Sequence, residues 1–522
     1  MVKSRAETIR QALEERVSGQ VLADARTLER YATDQSMYQV CPLAVVVPQD
    51  LKDVVTVVRF ARKEGIPLTP RGGGSSTAGS ALGRGIILVF DRAGPMNRIL
   101  DFETVNGEPQ VTVEPGVLHD DLQRFLRERG LYLPADPSSG AICLLGGNIA
   151  TKASGPHALK HGSIDRYLGH VQFVTVEGEV VDTADETSIP ERLRQGVLAL
   201  RDQVLADAQT VQRLEARKDF KLASGYNLFT FVRHQGVGQF LAQLMVGSVG
   251  TLGVVTRATL RAEPYVEGKS TTLLTFRDLH EAGDAVQHIK ALGVAAIEIM
   301  NHQTLSIVKA RRPDLDIPSG EAHMLLIEYE GPARHAQIAQ VERLVRENGY
   351  ALAGSPVTVE REEEQARLWK VRKALLPTVR GYRRDRKALS VVNDVGVDVA
   401  YLADFIRDVE GIFARLGLVV AIYGHAGSGN LHLRPLFDPQ APDLPALLTR
   451  VADEVYEAVF RYRGTITAEH GMGRLRAPYL AREWGATITG YMRQVKQIFD
   501  PDDVLNPDVM FSERALTDDL KN

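Results

Sequence analysis

Two histidines stand seven residues apart in "YGHAGSGNLHLRP" (423–435), with a glycine-rich turn between them and an arginine two positions after the second. The apolar run "LGLVVAIYG" before them reads as a strand ending at Gly424, and "LHLRP" reads as its successor. Residues 426–430 then form a hairpin-like turn. His425 closes one strand, His432 opens the next, and both rings converge on one point. The two-residue period of a strand puts His432 and Arg434 on the same face. Further on, "ITAEHGMGRLRAPYL" sets Glu469 beside His470. Two imidazoles and one carboxylate hold a divalent metal while leaving coordination positions open, so His425, His432 and Glu469 are candidate ligands. In an extended segment His470 points to the other side of the chain from Glu469, free to act as a base. The same pattern also fits a structural hairpin, with Glu469 in a surface ion pair.

These residues need a large scaffold. At 522 residues the chain is too long for one ordinary core, and two or three domains are expected. The composition is 44% hydrophobic and 25% charged, with a net charge of −4 and no Lys/Arg block, which argues against a nucleic-acid surface. The N-terminus is charged throughout and resembles no secretory signal, and no apolar run approaches the ~18 residues of a membrane span. Cytoplasmic residence is expected, with peripheral association at the inner face of the membrane left open. Only Cys41 and Cys143 are present, so this chain cannot hold a four-cysteine iron–sulfur cluster.

Along the chain, Ile9, Leu13 and Val17 recur at helical spacing, and residues 1–36 read as a helical segment. Residues 37–265 alternate short strands (42–48, 85–91, 110–116, 170–182, 253–264) with helices. Asp50 caps a helix over 50–65 and Gly65 stops it. Residues 266–512 mix strands (270–276, 322–331, 416–424, 431–437) with a helix over 441–464, and 513–522 form a tail. The expected class is α+β with two main domains.

Three glycine loops punctuate the first domain: "PRGGGSSTAG" (70–79), "LLGGNIATKASG" (144–155) and "VGSVGTLGVV" (246–255). Where no Cβ intervenes, backbone N–H groups can ring an anion. None of the loops is a P-loop or a G-x-G-x-x-G fingerprint, which disfavours a nucleotide triphosphatase and a nicotinamide Rossmann domain. Taken alone, the first also fits a flexible surface loop. Together they suggest a long ligand embraced from several sides.

With "DPSSGAICLLGGNIATKASG" and "GSVGTLGVVTRATL", the loops resemble the PCMH-type FAD-binding domain of the vanillyl-alcohol oxidase superfamily. "GHAGSGNLHLRP" and "EHGMGRLRAPYL" resemble the FAD-linked oxidase C-terminal domain of the D-2-hydroxyacid dehydrogenases, a family acting on D-lactate, glycolate and D-2-hydroxyglutarate. The resemblance spans about residues 37–510. It implies FAD held at Pro70, Arg71, Gly72, Gly73, Gly74, Ser75 and Ser76 for the pyrophosphate. Asp136, Pro137, Ser138, Gly146, Gly147, Asn148, Thr151, Ser154 and Gly155 lie along the ribityl and isoalloxazine portions, and Gly247, Thr251, Gly253 and Val254 on the adenine side. Asn430 of "GHAGSGNLHLRP" joins the cofactor contacts.

The resemblance also makes His425, His432 and Glu469 ligands of zinc or manganese and His470 the base near flavin N5. It places Arg372 of "LWKVRKALLP" on the substrate carboxylate, with Arg434 and Asn393 as further substrate contacts. Ser75 replaces the histidine that tethers flavin in some relatives, so FAD is expected to be non-covalent. Val249 stands where relatives carry an acid, and Ser428 where they carry Asp. A lysine found before the strand aspartate of some hydroxyglutarate enzymes is absent, which favours monocarboxylate substrates, D-lactate or glycolate, while Arg434 and Arg476 keep a second carboxylate open. The expected chain is a flavin subunit that passes electrons to a separate iron–sulfur protein or electron-transfer flavoprotein. Rival readings are a non-redox synthase of the alkylglycerone-phosphate type and a flavin-free metal hydrolase.

Overall fold

The computed structural model describes residues 5–317, 320–381 and 385–521. Helices and strands mix throughout, as the α+β expectation requires. The N-terminal half carries two sheets. In the first, Ala44–Val47, Ile86–Val89 and Leu68–Arg71 run parallel, and Gln20–Leu22 adds an antiparallel edge. The helix Leu51–Lys63 lies on it, burying Val54, Val57, Val58 and Ala61 against Val46, Leu68, Ile86 and Leu88. Asp50 caps that helix by accepting the Asp53 N–H. The second sheet is fully antiparallel, in the order Ile99–Val105, Glu108–Val113, Val254–Arg261, Leu168–Val174, Val180–Asp182.

Two local expectations are corrected. Residues 5–36 are not one helical segment, because Gln20–Leu22 is a strand between the helices Arg5–Glu14 and Ala25–Tyr31. The Asp53 carboxylate captures the N–H groups of Ser18 and Gly19, and a side chain at Gly19 would stand 2.1 Å from the Val47 carbonyl oxygen. The chain is thereby drawn onto the sheet edge. The stretch 170–182 is a hairpin of two strands that reverses at Gly178, whose φ of +76° suits glycine.

The C-terminal sheet positions the chemistry. Its strands run in the order Val357–Val359, Lys269–Phe276, His323–Glu330, Ala296–Met300, Val420–His425, Asn430–Phe437, Lys387–Ala388, and Val395–Gly396 also pairs with Asn430–Phe437. Register puts Lys269 opposite Glu330, Met300 opposite Tyr423, and Tyr423 opposite His432. With the period of two, one face therefore presents Lys269, Glu328, Glu330, Glu298, Tyr423, His425, His432 and Arg434. Part of that face is roofed by the helix Glu362–Arg380, whose Val371, Ala374 and Leu375 pack on Met300, Met324, Leu326 and Tyr423. Residues 513–521 return to the N-terminal half, where Arg84 pairs with Asp519 at 2.6 Å. Among the described residues, no helix is long and apolar enough to cross a membrane.

The glycine-loop half meets this face through ions. His157 bridges Asp136 at 2.5 Å and Glu328 at 2.7 Å, and Lys269 binds both Glu328 and Glu330 at 2.8 Å. Burial alone would raise the Glu328 carboxyl, but His157 and Lys269 outweigh it and hold it at about 2. A carboxyl below its ordinary 4.5 stabilises the fold above that pH, and the contribution is lost as pH falls toward 2. Glu328→Gln is expected to cost about 3 kcal/mol at pH 7, the usual penalty for breaking a buried ion pair. Urea midpoints measured at pH 7 and below 4 check this: the deficit of the variant should shrink in acid.

Candidate active site

The three glycine loops are joined to one another. A Cβ on Gly72 would lie 3.7 Å from the Gly147 nitrogen, and one on Gly250 would touch Pro70 at 3.2 Å. The N–H groups of Gly247 and Val249 donate to the carbonyls of Ile149 and Ala150. Beside the first loop lies a cavity of about 370 Å³, bounded by Gly72, Gly73, Gly74, Ile142 and Leu144, with Arg30, Arg71 and Arg92 on its wall. No atom stands within 4 Å of the point where a Gly147 Cβ would sit, so the missing side chain leaves open space between the loops. That cradle fits a ligand pressed against backbone.

Several polar groups of the loops are occupied internally. The Arg71 guanidinium donates to the carbonyls of Tyr31, Thr33 and Ala81. Ser76 Oγ accepts the N–H groups of Ala78 and Ser80, and Thr251 Oγ1 donates to the Ser248 carbonyl. Thr151 Oγ1 donates to the Gly147 carbonyl, and Asn148 Nδ2 contacts His119. A Gly155 Cβ would collide with the Asp136 carbonyl at 2.0 Å, and a Gly253 Cβ with Phe173 at 2.7 Å. Those glycines serve close packing. Pro137, Ser138, Gly146 and Val254 lie on the same loop segments, and Gly146 packs against Pro115.

Across the cradle sits the histidine cluster. Ala426–Ser428 form a short 3-10 turn, Gly429 takes φ +71°, and the two strands return with His425 opposite Asn430. His425 Nδ1 meets Glu298 Oε1 at 2.6 Å, and His432 Nδ1 meets the Asn393 carbonyl at 2.9 Å. Both Nδ1 atoms donate, and both Nε2 atoms face the same Glu469 oxygen at 3.1 and 3.4 Å. Lys221 Nζ holds the other Glu469 oxygen at 2.7 Å, and Ser154 Oγ donates to it at 3.2 Å. Imidazoles with their second nitrogens fixed, converging on one buried carboxylate oxygen, could hold a divalent metal. His425, His432 and Glu469 fit it.

Asp394 and His470 group with His432 and Glu469, their ligand atoms within 4.8 Å of one another. Asp394 is spent as an acceptor: its Oδ2 takes the Thr467 hydroxyl and the N–H groups of Ala468, Glu469 and His470, and its Oδ1 takes Asn430 Nδ2. This corrects the sidedness expected for His470. The segment is not extended, because three successive N–H groups wrap one carboxylate, and the His470 ring turns to the same side as Glu469. It stacks on His432 with centroids 5.3 Å apart, and its Nε2 is 3.7 Å from Glu469 Oε1. Its Nδ1 faces Asp394 at 3.5 Å. Burial pushes the imidazole down to about 4, so it is neutral near pH 7.

The cluster and the cradle touch. Ser154 reaches Glu469, a Gly471 Cβ would stand 3.1 Å from Thr151, and Asn393 Nδ2 donates to Thr77 Oγ1 at 3.0 Å. Asn430 is used within the protein, accepting from Lys221 and donating to Asp394 and the Val395 carbonyl. Arg372 gives its Nε to Glu298 Oε2 at 2.5 Å and lies over the Tyr423 ring at 5.1 Å.

A family model for the FAD binding domain matches residues 42–184, and one for the C-terminal domain of FAD linked oxidases matches 267–510. The chain belongs to the D-2-hydroxyacid dehydrogenase family of FAD-binding flavoproteins. It is 28% identical to the glycolate oxidase subunit GlcD of Bacillus subtilis (strain 168), over 92% of this chain and 91% of that one. It is 28% identical to the D-2-hydroxyglutarate dehydrogenase of Stutzerimonas stutzeri (strain A1501), over 95% and 96%. Among solved structures, alkyldihydroxyacetonephosphate synthase matches with a TM-score of 0.63 and 18% identity, over 97% of this chain and 86% of that one. The last likeness is one of fold. Two groups that contact the cluster, Glu298 and Lys221, escaped the sequence reading. Glu298 carried a signal, being a lone acid at an inward position of the apolar run "AAIEIM". Lys221 carried none, since "DFKLASGY" is locally ordinary.

Proposed function

We propose that this flavoenzyme oxidises a D-2-hydroxy acid to the 2-oxo acid and hands the electrons to an iron–sulfur or electron-transfer flavoprotein acceptor outside residues 1–522. The observation that carries the reading is the junction itself: a three-donor metal set and a neutral imidazole abut a glycine cradle through Ser154–Glu469 and Asn393–Thr77. Bound FAD would supply the hydride acceptor, and a divalent ion on His425, His432 and Glu469 would supply charge stabilisation at the 2-hydroxyl oxygen.

The chain's own residues do the rest. Arg372 spends one N–H on Glu298, which fixes the guanidinium plane and leaves its remaining N–H groups for a bidentate carboxylate contact. Asp394 holds the Glu469–His470 backbone, and the neutral His470 ring, whose Nδ1 meets the Asn393 amide at 3.4 Å, is the group placed to accept the hydroxyl proton. Lys221 and Ser154 aim Glu469; burial alone would raise its carboxyl, but His425 and Lys221 outweigh burial and hold it well below its ordinary value.

Anaerobic addition of D- and L-2-hydroxy acids to purified protein tests this: D-acids should bleach the flavin and L-acids should not. A colourless protein, or one bleached by neither series, overturns it. The flavin is also expected to be released by acid precipitation, with a yellow supernatant. Cys143 near the second loop is buried, and burial pushes its thiol up, away from the reactive thiolate.

A further inference from the structure

The third glycine loop turns on a strained residue. Val249 has φ +48° and Gly250 φ +72°, and the Thr251 N–H closes the turn on the Ser248 carbonyl at 3.1 Å. Two successive positions of positive φ ordinarily fall to Gly, Asn or Asp, because a branched Cβ crowds its own backbone there. Valine is the wrong residue for the first of them. A conformation this unfavourable persists only where its surroundings impose it, and such outliers gather at ligand sites.

Here the surroundings come from the far end of the chain. Val249 donates its N–H to the Ala150 carbonyl of the second loop at 2.9 Å, and its carbonyl accepts Asn506 Nδ2 at 2.7 Å. The same amide nitrogen donates to the Ser80 carbonyl at 2.9 Å, and Asn506 Oδ1 accepts the Thr69 hydroxyl at 3.0 Å. Thr69 and Ser80 stand immediately before and after the first loop. Asn506 is 1% exposed, and its N–H meets the Leu68 carbonyl at 2.8 Å. One buried amide therefore joins both ends of the first loop to the turn of the third, which is itself tied to the second. Lys496 Nζ links the two segments again, donating to the carbonyls of Thr251 and Leu505.

We propose that Asn506 is a positioning residue of the flavin cradle: it holds Val249 in the left-handed conformation and so sets the spacing of the glycine loops on which FAD affinity depends. Its side chain acts through backbone carbonyls of those loops. The inference rests on the FAD cradle and not on the oxidation chemistry proposed above, so the two fail separately.

Dilution of full-length holoenzyme, read by the fluorescence of released flavin, gives the FAD dissociation constant of wild type, Asn506→Ala, Val249→Gly and the double variant. Asn506→Ala should raise the constant about 30-fold, since two buried carbonyls and a hydroxyl lose their partner. In the double variant the constant should return to within about threefold of Val249→Gly alone, because glycine takes positive φ without being held. The Leu68–Asn506 main-chain bond survives in every variant and keeps the segment in place. An amide that merely packs would cost the same factor with and without Val249→Gly, and that additive result overturns the proposal. An unchanged constant in Asn506→Ala overturns it too. Should Asn506→Ala not fold, Thr69→Val decides: it removes only the hydroxyl that orients the amide and should raise the constant about fivefold, again cancelled by Val249→Gly. Wild-type protein that binds no FAD would defeat the cradle itself, a distinguishable result.

Discussion

His470→Asn protein is expected to hold FAD and metal at wild-type levels while its flavin is reduced by substrate about 10²–10⁴-fold more slowly, the usual worth of a positioned base. Asparagine has similar size and polarity but accepts no proton near pH 7. The backbone N–H of residue 470 would still bind Asp394, so the loop carrying Glu469 should keep its shape. The His470 ring bonds no ligand of the metal set directly: its Nε2 stands 3.7 Å from Glu469 Oε1, beyond hydrogen-bond reach. A merely structural His470, packed on His432, would give the opposite pattern, with lost metal and near-normal reduction in whatever holoenzyme survives. Stopped-flow reduction of metal-replete variant decides, and a normal rate would sink the assignment.

How far the sequence carried this reading depended on distance along the chain. The strand Val420–His425, the turn at Gly429 and the strand Asn430–Phe437 were legible because periodicity and glycine placement are local signals. So was the helix Leu51–Lys63 with its Asp50 cap. The family resemblance, carried by three glycine loops and two histidine motifs, matches the regions found by the family models. What failed was set by partners far away. The side on which His470 emerges is decided by Asp394, some 76 residues earlier, which gathers three successive N–H groups. The strand at Gln20–Leu22 exists because Asp53 holds Ser18 and Gly19. Lys221 reaches Glu469 across 248 residues, and nothing in its neighbourhood announces it.

Removing one imidazole should empty the metal site without disturbing the flavin. His432→Ala is the cleaner choice of the two histidines. The Nδ1 of His432 is spent on a single backbone carbonyl, that of Asn393, so its loss leaves one acceptor unmet. His425, by contrast, shares Glu298 with Arg372; deleting it would leave Glu298 with Arg372 alone and disturb the Arg372 guanidinium as well. In His432→Ala the remaining donors are His425 and one oxygen of Glu469, whose other oxygen stays on Lys221. Two ligands bind a divalent ion far more weakly than three, and bound metal should fall below a tenth of stoichiometric after dialysis. FAD content should hold, since the glycine cradle contacts this cluster through Ser154 and Thr77 and not through His432. Substrate reduction of the flavin should slow on the order of 10³-fold, the several kcal/mol that a Lewis acid contributes at a developing oxyanion. Elemental analysis and flavin absorbance on the same sample separate the effects: undiminished metal refutes the ligand assignment, and joint loss of metal and FAD would mean that the cluster is structural.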